Sequence, residues 1–359
     1  MKILSLFDGI SIAQQAFKEL GYEVVYYASE IDKNAIQITQ KNHPNTEQLG
    51  DIKDIDCADG KLHYGEGESV ETDIYFLIGG SPCQDLSIVK KNREGLDGQR
   101  SGLFWEYARI LNELKPKYFI LENVASMSKE ARAAITKELW EIEPVMINAA
   151  LVSAQNRKRL FWVGRRALKR HIGYWGGADY VKVEIPQPED RGILLKDVLE
   201  TGDVKKLKNY AIAADYFKGG KIGEARQPSK RNYTIRVGQI GKGGQGERIY
   251  SPAGKSVGLS AHGGGPGATT GLYRIEQEPH GMALDYYNDK SVIRKLTPVE
   301  CERLQSLPDN YTEGVSDTQR YKTLVNGFNC AVIKHILANL MEFKKEEKKC
   351  TGHYKQTIL

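Results

Sequence analysis

The sequence predicts an α/β protein with a mostly parallel sheet and helices on both faces, joined to a smaller, loop-rich domain. Two observations lead to this prediction. Up to about residue 164, short apolar runs alternate with amphipathic stretches, which is the pattern of parallel strands connected by helices. Beyond Arg166 this periodicity weakens and glycine accumulates, most densely between Arg236 and Leu272.

The elements of the first part follow in regular alternation. We expect strands at residues 2–7, 24–29, 73–78, 117–122, 145–151 and 158–163, and helices at 12–20, 32–42, 101–114 and 129–140. In the glycine-rich part, short β-prone runs at 233–237 and 248–250 predict a small twisted sheet with long loops, with disorder as the alternative. Thr297 and Pro298 suit a helix cap and a first helical turn, and a last helix is expected at about 330–345.

Composition narrows the class of protein. Of the 359 residues, 40% are hydrophobic and 27% are charged, and no run approaches the apolar length of a membrane span. The chain starts with an expected strand rather than a signal-peptide pattern, so we expect a cytoplasmic protein. The net charge of +5 is too small to identify a partner. The five cysteines lack C-x-x-C spacing, so we expect no metal and no disulfide framework.

Polar residues that follow the expected strands indicate where a ligand binds, because ligands of open parallel sheets lie outside the carboxyl ends of the strands. The first strand leads into a turn containing Gly9, which suits close approach of a ligand or a plain connection to a helix. Glu30 follows the second strand, where it suits a ribose diol or a helix N-terminus. Asp51 is a second acidic position, suited to an adenine amino group or an ordinary turn.

Two further strand ends should bring a thiol and a carboxyl group to the same edge. Cys83 follows the strand at 73–78, although a lone cysteine there is usually a packed residue. Glu122 follows the next strand. Further on, alternation would direct Gln155, Arg157 and Arg159 to one side. Two guanidinium groups beside a carboxylate suit an electron-rich heterocycle, and a basic surface hairpin is the alternative.

The order of these motifs resembles the cytosine-5 DNA methyltransferase family over nearly the whole chain. The matches are Phe7-Asp8-Gly9, Glu30, Ser81-Pro82-Cys83-Gln84, Glu122-Asn123-Val124, Gln155-x-Arg157-x-Arg159 and the run from Arg294 to Gln305. The segments around Gly9 and Cys83 look most like the catalytic domain of animal de novo DNA methyltransferases. The run 243–248 is shared with phage and bacterial members. Because the long N-terminal regions of the animal enzymes are missing, we expect a phage or bacterial enzyme.

The resemblance implies a Rossmann-like fold of the class I S-adenosylmethionine-dependent methyltransferases. The expected boundaries are 1–172 for the first part of the catalytic and cofactor-binding domain, 173–290 for the target-recognition domain, 291–345 for the C-terminal catalytic part and 346–359 for a polar tail. The implied reaction transfers a methyl group from S-adenosylmethionine to carbon 5 of a flipped-out cytosine in double-stranded DNA. S-adenosylhomocysteine is the implied product. A monomer is expected, in a restriction-modification or phage context, with no membrane partner.

The resemblance also implies roles for single residues. In catalysis, Cys83 would be the nucleophile, Glu122 would act at ring N3, Arg159 would hold the base carbonyl oxygen, and Arg157 would support the geometry of Cys83 and Glu122. The expected cofactor-binding residues are Phe7, Asp8, Gly9, Ile10, Ser11, Glu30, Ile31, Asp51, Ile52, Pro82, Leu103, Phe328 and Asn329. The expected DNA-binding residues are Ser87, Val89, Arg236, Gln239, Lys242, Gln245 and Arg248, with Val89 filling the space that the flipped base leaves.

The chain departs from the family pattern at two places, and two other functions are alternatives. Ser11 or Ile12 stands where many bacterial members have a second glycine, and Phe328 replaces the glycine of the final motif. One alternative function is a tRNA cytosine-5 methyltransferase, against which the sizeable glycine-rich lobe argues. The other is a non-catalytic DNA-binding protein that retains the fold. The complete set of catalytic residues in this chain argues against a non-catalytic protein.

Overall fold

The computed structural model describes residues 1–58, 61–71, 73–81, 103–167, 179–200, 234–239, 245–260, 267, 269–276 and 291–342. The strands are β1 (Lys2–Leu6), β2 (Val25–Ser29), β3 (Glu47–Gln48), β4 (Asp56–Ala58), β5 (Lys61–Tyr64), β6 (Glu68–Glu71), β7 (Ile74–Gly79), β8 (Tyr118–Val124), β9 (Val145–Asn148), β10 (Lys158–Arg166), β11 (Tyr180–Lys182), β12 (Ile235–Gln239), β13 (Arg248–Ser251), β14 (Leu272–Glu276) and β15 (Ser291–Arg294). The helices are α1 (Ile12–Glu19), α2 (Lys33–Asn42), α3 (Leu103–Leu114), α4 (Lys129–Glu138), α5 (Pro298–Leu304), α6 (Asp317–Asn326) and α7 over residues 330–342.

The chain forms two compact units. The first contains the described residues within Met1–Ile147, Lys158–Pro188 and Cys330–Leu359, and the second contains those within Asn148–Arg157 and Glu189–Asn329. Compactness alone does not show which residues bind DNA. The domain boundaries expected from the sequence therefore stay predictions, and the polar tail at 346–359 lies outside the described residues.

The main sheet of the first unit has the order β11-β10-β8-β7-β1-β2-β3, and β9 pairs with β10. The strands from β8 to β3 are parallel to their neighbours, whereas β10 runs antiparallel to β8, and β11 antiparallel to β10. In β7, Phe76, Leu77 and Ile78 are all fully buried, as expected for a parallel strand covered on both faces. The predicted mostly parallel sheet is confirmed.

Helices cover both faces of this sheet. Phe17 of α1 packs against Phe76, with ring centroids 5.6 Å apart. Leu77, the next residue in β7, belongs to a core cluster that contains Phe104 of α3 and Ile135 of α4. Because successive side chains of a strand point to opposite faces, α1 lies on one face of the sheet, while α3 and α4 lie on the other.

The expected elements of the first unit are all found, and one of them ends early. The expected strand at 145–151 stops at Asn148 and continues as a short 3-10 helix, Ala149–Leu151. The side chain of Asn148 accepts a hydrogen bond from the backbone N–H of Ala150 at 3.1 Å, which caps this turn. An apolar run thus predicted the strand, and a side-chain hydrogen bond decided where it ends.

Strands β4, β5 and β6 form a separate antiparallel sheet that the sequence analysis missed. The sequence indicates this sheet only weakly. Leu62 and Tyr64 are buried and alternate with polar residues, and the turn that follows contains Gly65 and Gly67, which both have positive φ.

The second unit contains the predicted small sheet, in the order β12-β13-β14-β15. Its strands cover the β-prone runs at 235–237 and 248–250, whereas residue 233 lies outside the described part. The helix predicted at Thr297 and Pro298 is confirmed as α5. The Thr297 hydroxyl accepts from the Glu300 N–H at 3.0 Å, while the Glu300 carboxylate accepts from the Thr297 N–H at 2.8 Å.

The last helix, α7, belongs to the first unit although it is distant in sequence. Lys334 forms an ion pair of 2.7 Å with Glu19 of α1, and a His335 ring nitrogen lies 2.7 Å from the carbonyl oxygen of Pro186. The first unit is therefore built from discontinuous segments of chain, as the resemblance implies.

Candidate active site

Three turns meet beside the carboxyl ends of β1 and β2. These parallel strands place Leu6 opposite Ser29, so the turns that follow them are neighbours. The backbone N–H of Gly9 donates to Oε2 of Glu30 at 2.8 Å, and the Ser29 hydroxyl donates to the carbonyl of Gly50 at 2.8 Å. The turns that carry predicted cofactor residues are thus bound directly to one another.

The first turn uses left-handed backbone conformations. Phe7, Gly9 and Ser11 have φ values of 56°, 64° and 54°. Only glycine adopts this region at no steric cost, so Ser11 occupies a position that favours glycine. The Ser11 hydroxyl donates to the Asp8 carboxylate and lies 3.0 Å from Oγ1 of Thr39. These hydrogen bonds stabilise Ser11 in a conformation that favours glycine.

Asp8 is buried, and its carboxylate accepts hydrogen bonds that stabilise this turn. The Tyr26 hydroxyl donates to Oδ1 of Asp8 at 2.8 Å. Burial raises the pKa of Asp8, whereas the hydroxyl groups of Ser11 and Tyr26 act in the opposite direction. Tyr26 is not among the residues predicted from the sequence, because nothing in the local pattern links it to a residue eighteen positions earlier.

The second turn combines a held carboxylate with an exposed apolar side chain. Oε1 of Glu30 accepts from the backbone N–H groups of Ile31 and Asp32, both at 2.8 Å. The neighbouring Ile31 is 69% exposed. In the third turn, Asp51 caps a short 3-10 helix by accepting from the Lys53 N–H at 3.1 Å.

The other residues predicted to bind the cofactor have different surroundings. Ile10 and Ile52 are buried, while Phe7 and Leu103 are partly buried against the core. Phe328 and Asn329 belong to the second unit, where Nδ2 of Asn329 donates to the Leu304 carbonyl at 2.9 Å. Pro82 lies outside the described residues.

Glu122 and Arg159 form an ion pair on neighbouring strands. In the antiparallel pairing of β8 with β10, Val124 lies opposite Arg159 and Glu122 lies opposite Phe161. Glu122 and Arg159 are therefore diagonal neighbours on the same face. Nε of Arg159 lies 2.7 Å from Oε1 of Glu122, and the two side chains are 21% and 13% exposed. The predicted pairing of a carboxylate with a guanidinium group is confirmed for these two residues.

Asn123 links this pair to the segment that leads to Cys83. Its Nδ2 donates to the Ser81 hydroxyl oxygen at 3.0 Å, directly beyond the end of β7. Cys83 itself lies outside the described residues, two positions after Ser81. Ser81 is therefore held at the edge of the sheet that carries Glu122. Asn123 is a second residue that the sequence analysis did not single out.

Arg157 has partners other than Glu122. β10 begins only at Lys158, so strand alternation does not extend to Gln155 or Arg157. Nη2 of the buried Arg157 donates to the carbonyl groups of Val325 at 3.0 Å and Gly327 at 2.9 Å. Gln155 is fully buried and bridges to Ser256. Only Arg159 lies within β10, so strand alternation does not direct Gln155 and Arg157 to the side of Arg159.

Three of the residues predicted to bind DNA lie together on β12 and β13. Gln239 is opposite Arg248 in the register, and Nη2 of the exposed Arg236 donates to Oε1 of Gln239. Gln245 begins a short 3-10 helix, Gln245–Glu247, just before β13. Ser87, Val89 and Lys242 lie outside the described residues.

Comparison with known proteins identifies the family. A family model described as C-5 cytosine-specific DNA methylase matches residues 1–342. The type II methyltransferase M.HhaI of Haemophilus parahaemolyticus is 30% identical over 350 residues, covering 95% of this chain and 94% of that enzyme. The orphan methyltransferase M.SPRI of Bacillus phage SPR is 24% identical over 442 residues, covering 95% of this chain and 97% of the phage protein.

A solved structure supports the same fold. The methyltransferase EhMeth of Entamoeba histolytica superimposes with a TM-score of 0.62 at 17% identity, covering 95% of this chain and 98% of that one. The bacterial and phage relatives agree with the expected source. The ordered motifs, the fold and the family match together show that this chain belongs to the C-5 cytosine-specific DNA methylase family.

Proposed function

We propose that the chain methylates carbon 5 of cytosine in double-stranded DNA with Cys83 as the nucleophile. The observation that carries this proposal is the ion pair between Glu122 and Arg159, at the sheet edge where Ser81 begins the Cys83 segment. Both side chains are partly exposed, so a base can reach them. The position of Cys83 in the reaction is inferred from its place in the motif that follows β7.

The proposed chemistry begins with the addition of the Cys83 thiolate to carbon 6 of cytosine. A bond forms between sulfur and carbon 6, and the displaced electron pair is delocalised towards N3. Glu122 donates a proton or a hydrogen bond to N3, which stabilises this charge and makes carbon 5 nucleophilic. Arg159 keeps Glu122 in place and binds the carbonyl oxygen of the base. Once carbon 5 has been methylated, its proton passes to solvent, and the electron pair of the broken C–H bond re-forms the double bond to carbon 6 and expels the thiolate. Any proton held at N3 returns to Glu122.

We infer that Arg157 is a positioning residue in this reaction. Its guanidinium group is bound to two backbone carbonyl groups, and its own N–H donates to Oδ1 of Asn148 at 3.0 Å. These contacts fix the chain immediately before β10, which carries Arg159. Asn148 is a further residue that the sequence analysis did not select.

The joined turns beside β1 and β2 fit the nucleoside part of S-adenosylmethionine. The Glu30 carboxylate suits the ribose hydroxyl groups, and the exposed Ile31 offers an apolar surface for a purine. Space around Gly9 is open, because a Cβ added there would meet nothing within 4 Å. Gly9, Glu30, Ile31 and Asp51 would hold the cofactor, which supplies an electrophilic methyl group when bound.

DNA recognition is assigned to the second unit. A cytosine within a duplex must be flipped out before its ring can be attacked. Arg236, Gln239 and Arg248 carry the donor groups that bind phosphates and base edges, and they lie together on β12 and β13. We propose that the reaction takes place in the cytoplasm of a bacterial or phage-infected cell, and that the enzyme is a monomer.

One apolar stretch is as long as a membrane span. Among the described residues, only Asp317–Glu342 has the length and hydropathy of a membrane span, and 67% of its apolar part is buried inside the protein. The stretch includes Gly327, which ends α6, and the residues of α7 that pack in the first unit. Its apolar character matches its packing within the protein.

Covalent trapping tests the proposed function. The wild-type chain should form an adduct with duplex DNA that contains 5-fluorocytosine, because fluorine cannot leave as a proton does. Cys83→Ser should abolish the adduct. Labelled cofactor is offered in parallel with duplex DNA and with tRNA. Label in tRNA alone would contradict the DNA assignment, and no adduct across varied DNA sequences would favour a non-catalytic binding protein.

A further inference from the structure

Lys255 is a buried lysine in the second unit. It is 3% exposed and lies four residues after the end of β13. Burial lowers its pKa, because the charged ammonium group is removed from water. A buried charge lowers the stability of the fold unless hydrogen bonds or ion pairs compensate for its lost hydration. An apolar residue of similar size at such a site often gives a more stable protein.

The ammonium group of Lys255 joins two separate segments. Nζ donates to the carbonyl of Ser153 at 3.2 Å and to the carbonyl of Ile193. The nearest carboxylate, that of Asp190, is 3.8 Å away and is 49% exposed. The group thus serves mainly as a hydrogen-bond donor to backbone oxygens, and its ion pair is long.

The backbone beside Lys255 is bound to the same loop. The Ser256 N–H donates to the Ala154 carbonyl at 2.7 Å, and the Asn156 N–H donates to the Ser256 carbonyl at 3.0 Å. Residues 254–256 therefore run along the loop that precedes Arg157. They follow directly from β13, which carries the predicted DNA-binding residue Arg248.

The other end of the loop is also fixed within the second unit. Nδ2 of Asn329 donates to the Ser153 hydroxyl at 3.3 Å, and Arg157 binds the carbonyl groups of Val325 and Gly327. Ser153 is therefore held at its hydroxyl group by Asn329 and at its carbonyl group by Lys255. Arg159 lies two residues beyond Arg157 along the chain.

We propose that Lys255 is a positioning residue for methyl transfer, which holds the loop from Asn148 to Arg157 against the segment that follows the recognition strand β13. Its hydrogen bonds to Ser153 and Ile193 fix the register between the two. Within the second unit, Arg157 at the end of this loop and the segment that follows β13 are thereby held in one arrangement. This inference rests on the proposed function, because it assigns Lys255 a part in that reaction.

The test replaces Lys255 by methionine, which keeps the length of the side chain and removes the ammonium group. Lys196→Met is the matched control, since Lys196 is an exposed lysine of the same unit. The probe is plasmid DNA from a host without cytosine methylation, with labelled S-adenosylmethionine. We measure kcat, the KM for each substrate, and equilibrium binding of DNA and cofactor.

We expect Lys255→Met to lower kcat about 10-fold to 100-fold, since small displacements of reacting groups have effects of this size. Binding of cofactor and of DNA should stay within about threefold, and Lys196→Met should match the wild type in kcat. An unchanged kcat in Lys255→Met would overturn the proposal. Inactivity of the wild type would instead count against the proposed function.

A rescue experiment separates positioning from simple packing. Lys255→Ala leaves space for propylammonium, which supplies the missing ammonium donor. We expect propylammonium to restore part of kcat, while propanol at equal concentration does not. If DNA binding falls in proportion to kcat and no rescue occurs, Lys255 supports only the folding of the second unit, and the proposal is wrong.

Discussion

Two ion pairs of the same chemical type occupy the two units and differ in how fully they are satisfied. In the first unit, Glu122 and Arg159 are joined by one contact of 2.7 Å, and both side chains remain partly exposed. In the second, Glu300 and Arg294 form two contacts, of 2.7 Å and 2.8 Å, with side chains 0% and 6% exposed. The Glu300 carboxylate also accepts from the backbone N–H groups of Thr297 and Glu200.

The difference separates a pair available for chemistry from a pair that supports structure. The saturated Glu300 has four donors around two oxygens, so little capacity remains for a substrate. Among the residues that the structure describes, Arg159 is the ion-pair partner of Glu122. The Glu122 carboxylate can therefore form a further hydrogen bond to a base.

Glu122→Gln should strongly reduce methyl transfer with little loss of stability. The amide keeps the shape of the side chain but cannot donate a proton to N3, so we expect kcat to fall about 100-fold to 10,000-fold. Single-turnover methylation assays measure this effect. Glu143→Gln is the control, because it breaks a surface ion pair with Arg132 and should leave kcat unchanged. A fall of less than about threefold in Glu122→Gln would remove Glu122 from the chemistry.

Glu300→Gln should reduce the stability of the fold and leave methyl transfer nearly unchanged. It leaves the buried guanidinium of Arg294 without its charge partner, which should cost about 3–5 kcal/mol in the free energy of unfolding. Urea denaturation measures this loss. Activity per folded molecule should remain close to that of the wild type below the denaturation midpoint. If stability is unchanged while kcat falls, the proposed division between the two pairs is wrong.

One contribution to the pH dependence of stability between pH 4 and 7 should come from His43, which belongs to neither ion pair. Burial, assisted by the charge of Lys18, lowers the pKa of His43 from 6.5 to about 4. The unfolded chain therefore binds a proton near pH 6.5, whereas the folded protein resists it until about pH 4. The contribution of neutral His43 to the free energy of unfolding is fully present above pH 6.5. It falls by about 2–3 kcal/mol as the pH decreases from 6.5 to about 4.

Urea denaturation at a series of pH values between 4 and 7 measures the contribution of His43. His43→Gln should flatten this part of the stability curve, because glutamine does not titrate. Persistence of the full slope in His43→Gln would assign it to other groups.

The smallest predicted effect concerns the backbone after α5, the helix that carries Glu300. Ser306 has a φ of 58°, in the left-handed region that favours glycine. Ser306→Gly should therefore raise the free energy of unfolding by about 0.5–1 kcal/mol without changing kcat. Ser306→Ala retains the unfavourable φ and serves as the control. Equal stability of the two variants would show that backbone strain at this position is negligible.

The local pattern predicted most elements because their causes are local. Apolar runs identified the parallel strands, and Thr297 with Pro298 identified the start of α5. The small β4–β6 sheet was missed because its strands are short and mostly polar. The early end of β9 was missed because it depends on one side-chain hydrogen bond from Asn148.

The family, the order of the motifs and the residue types of the site follow from the amino-acid sequence. Glu122 and Arg159 could be selected because each lies at a recognisable place beside an apolar strand. Tertiary structure alone decided their partners. The register of β8 and β10 brings Arg159 to Glu122, whereas the start of β10 at Lys158 leaves Arg157 bound to carbonyl groups near Gly327.

The same reason explains why Tyr26, Asn123 and Lys255 became evident only in the structure. Each acts through a hydrogen bond to a residue at least eighteen positions away in sequence. Periodicity reports which face of an element is buried, but it carries no information on which distant polar group shares that face. Packing and strand register determine those partners, so the structure was needed to find them.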